Sequence, residues 1–187
     1  LPGAYNVRNV LAAIAIGHAV GLDATTMAAG LKQFRGVKRR LEVLGTAGGV
    51  TVYDDFAHHP TAVAETLKGL RAAHPDGRIR AVFEPRSASS CRRVFQDSFT
   101  RCFEGADDVT FAPVFRSSLA ESERLSIDDV VREIQAAGGT ARQISSVDEI
   151  VSALVRERRA GDHVVIMSNG GFGGIHGKLM AALRAAG

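Results

Sequence analysis

One short stretch of the chain combines carboxylates and imidazoles in a pattern that could carry chemistry. It places Asp54 and Asp55 at the end of an apolar run, and His58 and His59 directly before Pro60. Carboxylates accept hydrogen bonds from ligands, and imidazoles transfer protons near neutral pH. The plainer alternative is an acidic helix cap with two solvated histidines, because motifs of this kind have many false positives. Residues 52–63 therefore indicate a candidate site and leave its chemistry open.

Three other segments carry polar groups that could contact a ligand. Asn6 and Asn9 lie three positions apart, so both amides share one face of a predicted helix, although the residues alone favour a helix cap and a solvated amide. Arg40 ends a basic triplet, which is either a solvated edge or a bidentate phosphate ligand. Arg86 and Ser87 follow an apolar strand pattern, where α/β sheets bind ligands, and the alternative is an exposed loop arginine.

A glycine-rich segment follows the most apolar run, residues 163–167. It reads Ser-Asn-Gly-Gly-Phe-Gly-Gly-Ile-His and contains Asn169, Gly170 and His176. Glycines allow a backbone to approach a ligand closely, and a helix beginning there would favour an anion. The segment does not fit the dinucleotide fingerprint, and the sequence contains no Gly-Lys-Ser/Thr phosphate loop. If this is an ATP enzyme, its phosphate loop must lie elsewhere.

Strand and helix patterns alternate along the chain and place these candidates at strand ends. Residues 40–45 and 50–53 alternate around Thr46–Gly49, which predicts a β-hairpin. The later strand patterns alternate with helical ones, and this predicts a Rossmann-like α/β fold. We expect a mainly parallel sheet with helices on both faces, entered by the antiparallel hairpin. The later strands are predicted at residues 78–83, 108–113, 141–144 and 163–167.

Composition excludes several classes of protein. The 187 residues carry a formal net charge of +3 with dispersed basic residues, which does not favour nucleic-acid binding. Cys91 and Cys102 make no metal-binding spacing, and reduced cytosolic thiols are the expectation. No apolar run is long enough to span a membrane, and no signal-peptide pattern occurs. We therefore expect a cytoplasmic protein with no nucleic-acid or membrane partner and no metal ligands in this chain. The start without Met indicates a fragment.

The order of several motifs resembles one enzyme family. The stretch Asp-Asp-Phe-Ala-His-His-Pro-Thr, residues 54–61, is similar to the signature that opens the C-terminal domain of the Mur ligases, which act on UDP-N-acetylmuramate. Further stretches agree in type and order, and the last two most resemble the members that recycle murein peptides rather than those that add L-alanine. These stretches are residues 5–13, 36–42, 84–89 and 167–176.

This resemblance implies a domain organisation and an activity. Residues 1–36 would be the last helices of a central ATPase domain, and residues 37–187 the C-terminal, peptide-binding domain. The whole enzyme would use ATP and Mg²⁺ to join UDP-N-acetylmuramate to the murein tripeptide L-alanyl-γ-D-glutamyl-meso-diaminopimelate through an acyl phosphate. Its own N-terminal and central domains would supply the phosphate loop and metal ligands. An L-alanine-adding ligase and a non-catalytic module that binds cell-wall peptides remain the alternatives.

The resemblance also implies roles for individual residues. Asn6 and Asn9 would lie beside adenine, next to Tyr5, where the family usually has His. Arg40 would contact the phosphates, and Asp55 would hold the ribose or nucleotide. The remaining candidates would lie near acyl transfer (His58 and His59) or line the incoming peptide (Arg86, Ser87, Asn169, Gly170 and His176).

Overall fold

The computed structural model describes residues 3–115 and 118–187. Its described part begins with two helices, α1 (Ala4–Ala19) and α2 (Ala24–Gln33). Strands and helices then alternate, as the sequence pattern predicts. The strands are β1 (Glu42–Ala47), β2 (Val50–Asp55), β3 (Ile79–Phe83), β4 (Asp108–Phe111), β5 (Ala141–Gln143) and β6 (His163–Met167). The later helices are α3 (Pro60–Ala73), α4 (Gln96–Arg101), α5 (Ile127–Ala136), α6 (Val147–Arg156) and α7 (Ile175–Ala185).

The six strands form one sheet in the order β1-β2-β6-β3-β4-β5. Only β1 and β2 pair antiparallel, and the other neighbouring strands run parallel. Gly48 and Gly49 close the β1–β2 hairpin with φ values of 54° and 77°, which side chains rarely adopt. The predicted fold class and the antiparallel hairpin are both confirmed.

Helices cover both faces of the sheet because the parallel strands are apolar on both sides. On one face, α3, α4 and α5 pack over buried residues that include Leu67, Phe83 and Phe99. On the other, α6 and α7 pack over a second cluster that includes Ile166 and Leu179. The carboxyl ends of β2, β6 and β3 therefore open at one edge between these layers, where the candidate residues follow.

The sequence of residues 94–103 predicts a helix, and the helix found there is shorter. A 3₁₀ turn at Arg93–Phe95 precedes α4, and a turn follows Arg101. Its apolar residue Phe99 is fully buried, whereas Val94 is 78% exposed, so only the middle of the segment packs on the sheet. The sequence pattern therefore identified the buried face of this helix but overestimated the length of the helix. The irregular segment predicted at 114–125 includes residues 116 and 117, which lie outside the described part.

The helices α1 and α2 stand apart from the core of the sheet. Only Gly17 of α1 is buried, and α2 has no buried residue. Apolar side chains on this pair are largely exposed: Val7, Leu11, Ile16, Val20, Leu22 and Phe34. Among the described residues, no helix is long and apolar enough to cross a membrane.

Candidate functional site

The predicted nucleotide residues meet around one cavity between α1, α2 and the start of the sheet. Tyr5, Asn6, Asn9 and Arg40 line this space of about 590 Å³. The other walls are mostly apolar and come from Val10, Ala13, Leu31, Phe34 and Val37. We call it the helical cavity. Its apolar walls with a few convergent polar groups and one arginine suit a planar base with an attached anion.

A second, smaller cavity of about 350 Å³ shares two residues with the first. Tyr5 and Arg40 line both, and Asp55, His59 and Glu65 complete the second. Arg8 of α1 lies 3.3 Å from the Glu65 carboxylate of α3, which connects the helix pair to the sheet. The structure thus brings Asn6, Asn9, Arg40, Asp55 and His59 into one continuous region.

Asp55 has a structural role that sequence patterns did not indicate. Its side chain is buried, and it accepts hydrogen bonds from the backbone N–H groups of Leu41 at 2.6 Å and Ala57 at 2.7 Å. Burial raises the pKa of Asp55 above its usual value, while these bonds and the charge of Arg40 oppose the shift. Asp55 therefore connects the segment before β1 to the loop before α3. Any contact with a ligand would be added to this role.

The Nδ1 atoms of the two neighbouring histidines have different hydrogen-bonding roles, a donor in His58 and an acceptor in His59. Nδ1 of His58 lies 2.9 Å from the carbonyl oxygen of Phe56, which can only accept, so this nitrogen donates and Nε2 can accept a proton. Nδ1 of His59 instead accepts from the N–H of Thr61 at 3.4 Å, at the start of α3. Neutral His59 therefore carries its proton on Nε2. His59 is thus itself the N-cap of α3, a role that the plainer alternative gave to an acidic residue.

Arg40 and its neighbour Arg39 both lie against the ring of Phe56. Their guanidinium carbons are 5.5 Å and 5.1 Å from its centroid, within cation–π range. Arg40 is exposed and faces the helical cavity, whereas Arg39 is half-buried and turns toward the sheet. One aromatic side chain thus aligns two cations that have different partners.

The second group of candidates meets at the carboxyl ends of β3 and β6. The Arg86 guanidinium stacks 3.8 Å from the ring centroid of Phe115 and lies 3.6 Å from the Glu84 carboxylate. Its stem crosses Gly170 so closely that a Cβ at that glycine would lie 2.7 Å from Arg86 Cζ. Arg86 therefore touches the loops after β3, β4 and β6. It is not the isolated loop arginine of the plainer alternative.

Three buried or half-buried groups fix the loop after β6. Ser168 Oγ donates to the buried Glu84 carboxylate at 2.5 Å and accepts from the Gly170 N–H at 2.9 Å. Arg39 donates to the carbonyl oxygens of Ser168 and Gly170 at 2.6 Å and 2.8 Å. Backbone and side chain of the loop are thus held from two sides.

Asp54 extends this group to the first turn of α7. Its two carboxylate oxygens lie 3.3 Å from Arg39 Nε and 3.1 Å from His176 Nε2. The close approach of Asp54 Oδ1 and His176 Nε2 does not have the geometry of a hydrogen bond. Neither atom has a hydrogen-bond partner among the described residues. Oδ1 of Asn169 is also buried without a partner there. We call these residues the strand-end cluster: Arg39, Asp54, Glu84, Arg86, Ser168, Gly170 and His176.

Ser87 is a predicted peptide-lining residue whose hydroxyl contacts lie within its own loop. Its hydroxyl contacts those of Ser89 at 3.1 Å and Ser90 at 2.8 Å and accepts from the Ser90 N–H at 2.9 Å. It therefore shapes its own loop. Arg39 and Glu84, by contrast, were not predicted, and Asp54 was named as a carboxylate of the candidate stretch without a role of its own. All three lie within or beside the motifs that the sequence highlights.

No group of three or more His, Cys, Asp or Glu side chains in the described residues could hold a metal ion. The donor set of this part of the chain therefore does not fit Mg²⁺, which prefers several oxygen ligands in octahedral geometry.

Comparison with protein families shows to which family this chain belongs. The family model described as "Mur ligase, glutamate ligase domain" matches residues 39–170. The chain belongs to the Mur ligase family. A ligase of Escherichia coli K12, named UDP-N-acetylmuramate–L-alanyl-γ-D-glutamyl-meso-2,6-diaminoheptandioate ligase, is 40% identical over 185 residues, which are 98% of this chain and 38% of the relative. The UDP-N-acetylmuramate–L-alanine ligase of Desulfitobacterium hafniense Y51 is 36% identical over 169 residues, 90% of this chain and 37% of the relative.

Solved structures agree with the Mur ligase assignment. The murein peptide ligase of Psychrobacter arcticus 273-4 is 37% identical with a TM-score of 0.74, over 98% of this chain and 38% of that one. The UDP-N-acetylmuramate–alanine ligase of Thermotoga maritima has a TM-score of 0.82 at 20% identity, over 100% of this chain and 39% of that one, and it supports the fold alone. The chain thus spans less than two-fifths of the length of these Mur ligases, and it matches members of both the tripeptide-adding and the L-alanine-adding kind.

Proposed function

We propose that this chain is the C-terminal domain of an ATP-dependent amide ligase that joins UDP-N-acetylmuramate to the murein tripeptide L-alanyl-γ-D-glutamyl-meso-diaminopimelate. The observation that carries the proposal is the separation of the candidates into two adjoining groups. One surrounds the helical cavity, and the other is the strand-end cluster. A ligase that activates one substrate with ATP and transfers it to another needs two such regions side by side.

The helical cavity is the nucleotide side of the proposed site. Tyr5 offers a ring for stacking on adenine, and Asn6 and Asn9 offer amides that can pair with its edge. Arg40 provides a planar, permanently charged fork that binds phosphate oxygens bidentately. Asp55 holds the backbone that carries Arg40, because it accepts the N–H of Leu41. Mg²⁺ would be held by ligands from the other domains, as the donor set described above implies.

The strand-end cluster is the peptide side. The tripeptide carries several carboxylates, which require a cation and neutral donors. Arg86 is fixed by Phe115 and Glu84, so its guanidinium is preorganised rather than free in solvent. The loop with Asn169 and Gly170 lies against it. His58 and His59 follow Asp55 in sequence, and His59 lines the smaller cavity with it. His58 Nε2 is the histidine nitrogen in this stretch that can accept a proton.

The exposed apolar face of α1 and α2 supports the proposed domain division. Residues 1–36 would belong to the central ATPase domain, whose remaining part would cover Val7, Leu11 and Ile16. The Mur ligase relatives are long enough to contain such a domain, since this chain covers only 38% of the tripeptide-adding ligase. The residues that are exposed here would then be an internal interface of the whole enzyme.

An L-alanine-adding ligase is the second candidate, because relatives of that kind match nearly as well. The test is ligation by the full-length protein, supplied with UDP-N-acetylmuramate and ATP and with either the tripeptide or L-alanine. We expect an amide product with the tripeptide and much slower turnover with L-alanine. Efficient use of L-alanine alone would select the second candidate. Binding of the tripeptide without ATP-dependent ligation would select a non-catalytic module.

A further inference from the structure

We infer that Arg39 is a positioning residue that holds the glycine-rich loop, residues 168–174, in place and thereby sets the peptide side of the site. This inference rests on the proposed function for its kinetic consequences, but its structural part can be tested separately. Arg39 is distinct from Arg40, which faces the helical cavity and is the arginine that the motif resemblance selects.

Besides the contact with the Phe56 ring, the hydrogen bonds and the ion pair of the Arg39 side chain are directed at the loop and at the strand beside it. Nη2 donates to the carbonyl oxygens of Ser168 at 2.6 Å and Gly170 at 2.8 Å, and Nε lies 3.3 Å from Asp54 Oδ2. A guanidinium can make these contacts at once because its donors point in fixed, different directions. A lysine ammonium keeps the charge but is a single point. The geometry therefore uses the feature that distinguishes arginine from lysine.

The backbone around Arg39 is strained in a way that directs the side chain inward. Arg39 and Leu41 have φ values of 57° and 49°, although neither is glycine. The Arg39 N–H donates to Glu42 at 2.8 Å, and its carbonyl accepts from the Phe56 N–H at 2.8 Å. Left-handed conformations at such residues persist only where surrounding contacts stabilise them. Here they turn Arg39 toward the loop and leave Arg40 exposed toward the cavity.

Asp54 extends the effect of Arg39 to the far end of the loop. It lies between Arg39 and His176, and His176 is in the first turn of α7. Arg39 thus contacts the beginning of the loop directly and its end through one carboxylate. Without Arg39, the Asp54 carboxylate would keep only His176 while its side chain is 11% exposed. The start of the loop would then keep the Ser168–Glu84 contact and the backbone bond from the Ser168 N–H to Asp55, but no side chain would hold its Ser168 and Gly170 carbonyls.

The structural test is hydrogen exchange of this chain, followed by mass spectrometry of peptides that cover residues 168–176. Arg39→Met removes the fork while preserving much of the stem, and Lys38→Met removes an exposed neighbouring cation. We expect loop amides to exchange about tenfold faster in Arg39→Met, corresponding to about 1.4 kcal/mol of lost protection. Lys38→Met should match the parent chain, and Arg39→Lys should fall between. If Arg39→Met does not fold, Arg39→Lys decides the question, because it retains the charge.

The functional test uses the full-length ligase. We expect Arg39→Met to raise the KM for the tripeptide about tenfold, or about 1.4 kcal/mol, with the KM for ATP unchanged. Formation of the acyl phosphate, trapped with hydroxylamine in the absence of tripeptide, should also be unchanged. Loop exchange equal to that of Lys38→Met, or equal losses for ATP and tripeptide, would overturn the inference. If the parent ligase does not use the tripeptide at all, the proposed function fails, while the exchange experiment still decides the role of Arg39.

Discussion

Replacing Gly170 by alanine tests the strand-end cluster with the smallest possible change. The added methyl group would lie 2.7 Å from Arg86 Cζ and closer still to Nε and Cδ. Real Cβ atoms do not approach other atoms this closely, so the flexible Arg86 side chain must move. Gly171 provides a matched control, since a Cβ there meets nothing within 4 Å and its φ is −81°.

The cost of Gly170→Ala follows from the contacts that Arg86 must give up. Loss of its stacking on Phe115 should cost about 0.5–2 kcal/mol. The half-exposed pair with Glu84 adds about 0–1 kcal/mol. The protein should therefore lose about 0.5–3 kcal/mol of unfolding free energy, which for a chain of this size lowers the melting temperature by roughly 1–12 °C. The fold itself should persist.

Peptide use should suffer as well as stability, because a displaced guanidinium no longer meets its carboxylate. We expect the KM of the full-length ligase for tripeptide to rise about tenfold, or about 1.4 kcal/mol, with little change for ATP. Thermal unfolding of both alanine variants and steady-state kinetics with each substrate provide the measurements. If Gly170→Ala and Gly171→Ala behave alike in both assays, Arg86 does not depend on Gly170 and our interpretation of the cluster is wrong.

Two further predictions concern the opposite edge of the sheet. Arg80 is 1% exposed and pairs with Asp108 at 2.8 Å. Arg80→Met should therefore lower the free energy of unfolding by about 3 kcal/mol, because it leaves a carboxylate poorly paired. The double variant Arg80→Met with Asp108→Leu should recover much of this loss, and urea unfolding measures both. Burial and the stacked neighbour His74 lower the pKa of His163, so the stability that it contributes is complete above about pH 6.5 and declines as the pH falls through the lower folded value. Urea midpoints at pH 7.5 and 5 should therefore differ less in His163→Gln than in the parent chain, and an unchanged difference would contradict this.

Local sequence patterns were sufficient to predict most of the fold. The run 163–167 became β6 with the predicted bounds, because the four apolar positions that follow His163, between it and Ser168, have no competing period. The sequence predicts Asp23 or Thr25 as the cap of α2 and Ser126 as the cap of α5, and Asp23 and Ser126 each accept a backbone N–H of the first helical turn. The insertion of β6 between β2 and β3 could not be predicted, because strand order depends on contacts between distant segments.

The candidate site, like the fold, could be predicted only in part. The family motifs named Tyr5, Asn6, Asn9 and Arg40 together, and these residues line one cavity in the structure. The contacts of Arg39 could not be predicted, since its partners Ser168 and Gly170 lie 129 and 131 positions away. Nothing local distinguishes the middle arginine of a Lys-Arg-Arg triplet from its neighbours. Positive φ at a non-glycine residue also has no signature in sequence.

The alternation of side chains at the end of β2 explains how one strand serves both sides of the site. Successive residues of a strand point to opposite faces. Asp55 accordingly accepts backbone N–H groups beside the helical cavity, while Asp54 lies between Arg39 and His176 in the strand-end cluster. A one-residue shift in register would exchange the two carboxylates and disrupt both groups. The pairing of β2 with β6, where Asp54 lies opposite Ile166 and Asp55 opposite Met167, excludes that shift because Tyr53 and Val52 would also exchange core faces. The apolar packing of this strand therefore determines which aspartate lies beside the helical cavity and which contacts Arg39 and His176 in the strand-end cluster.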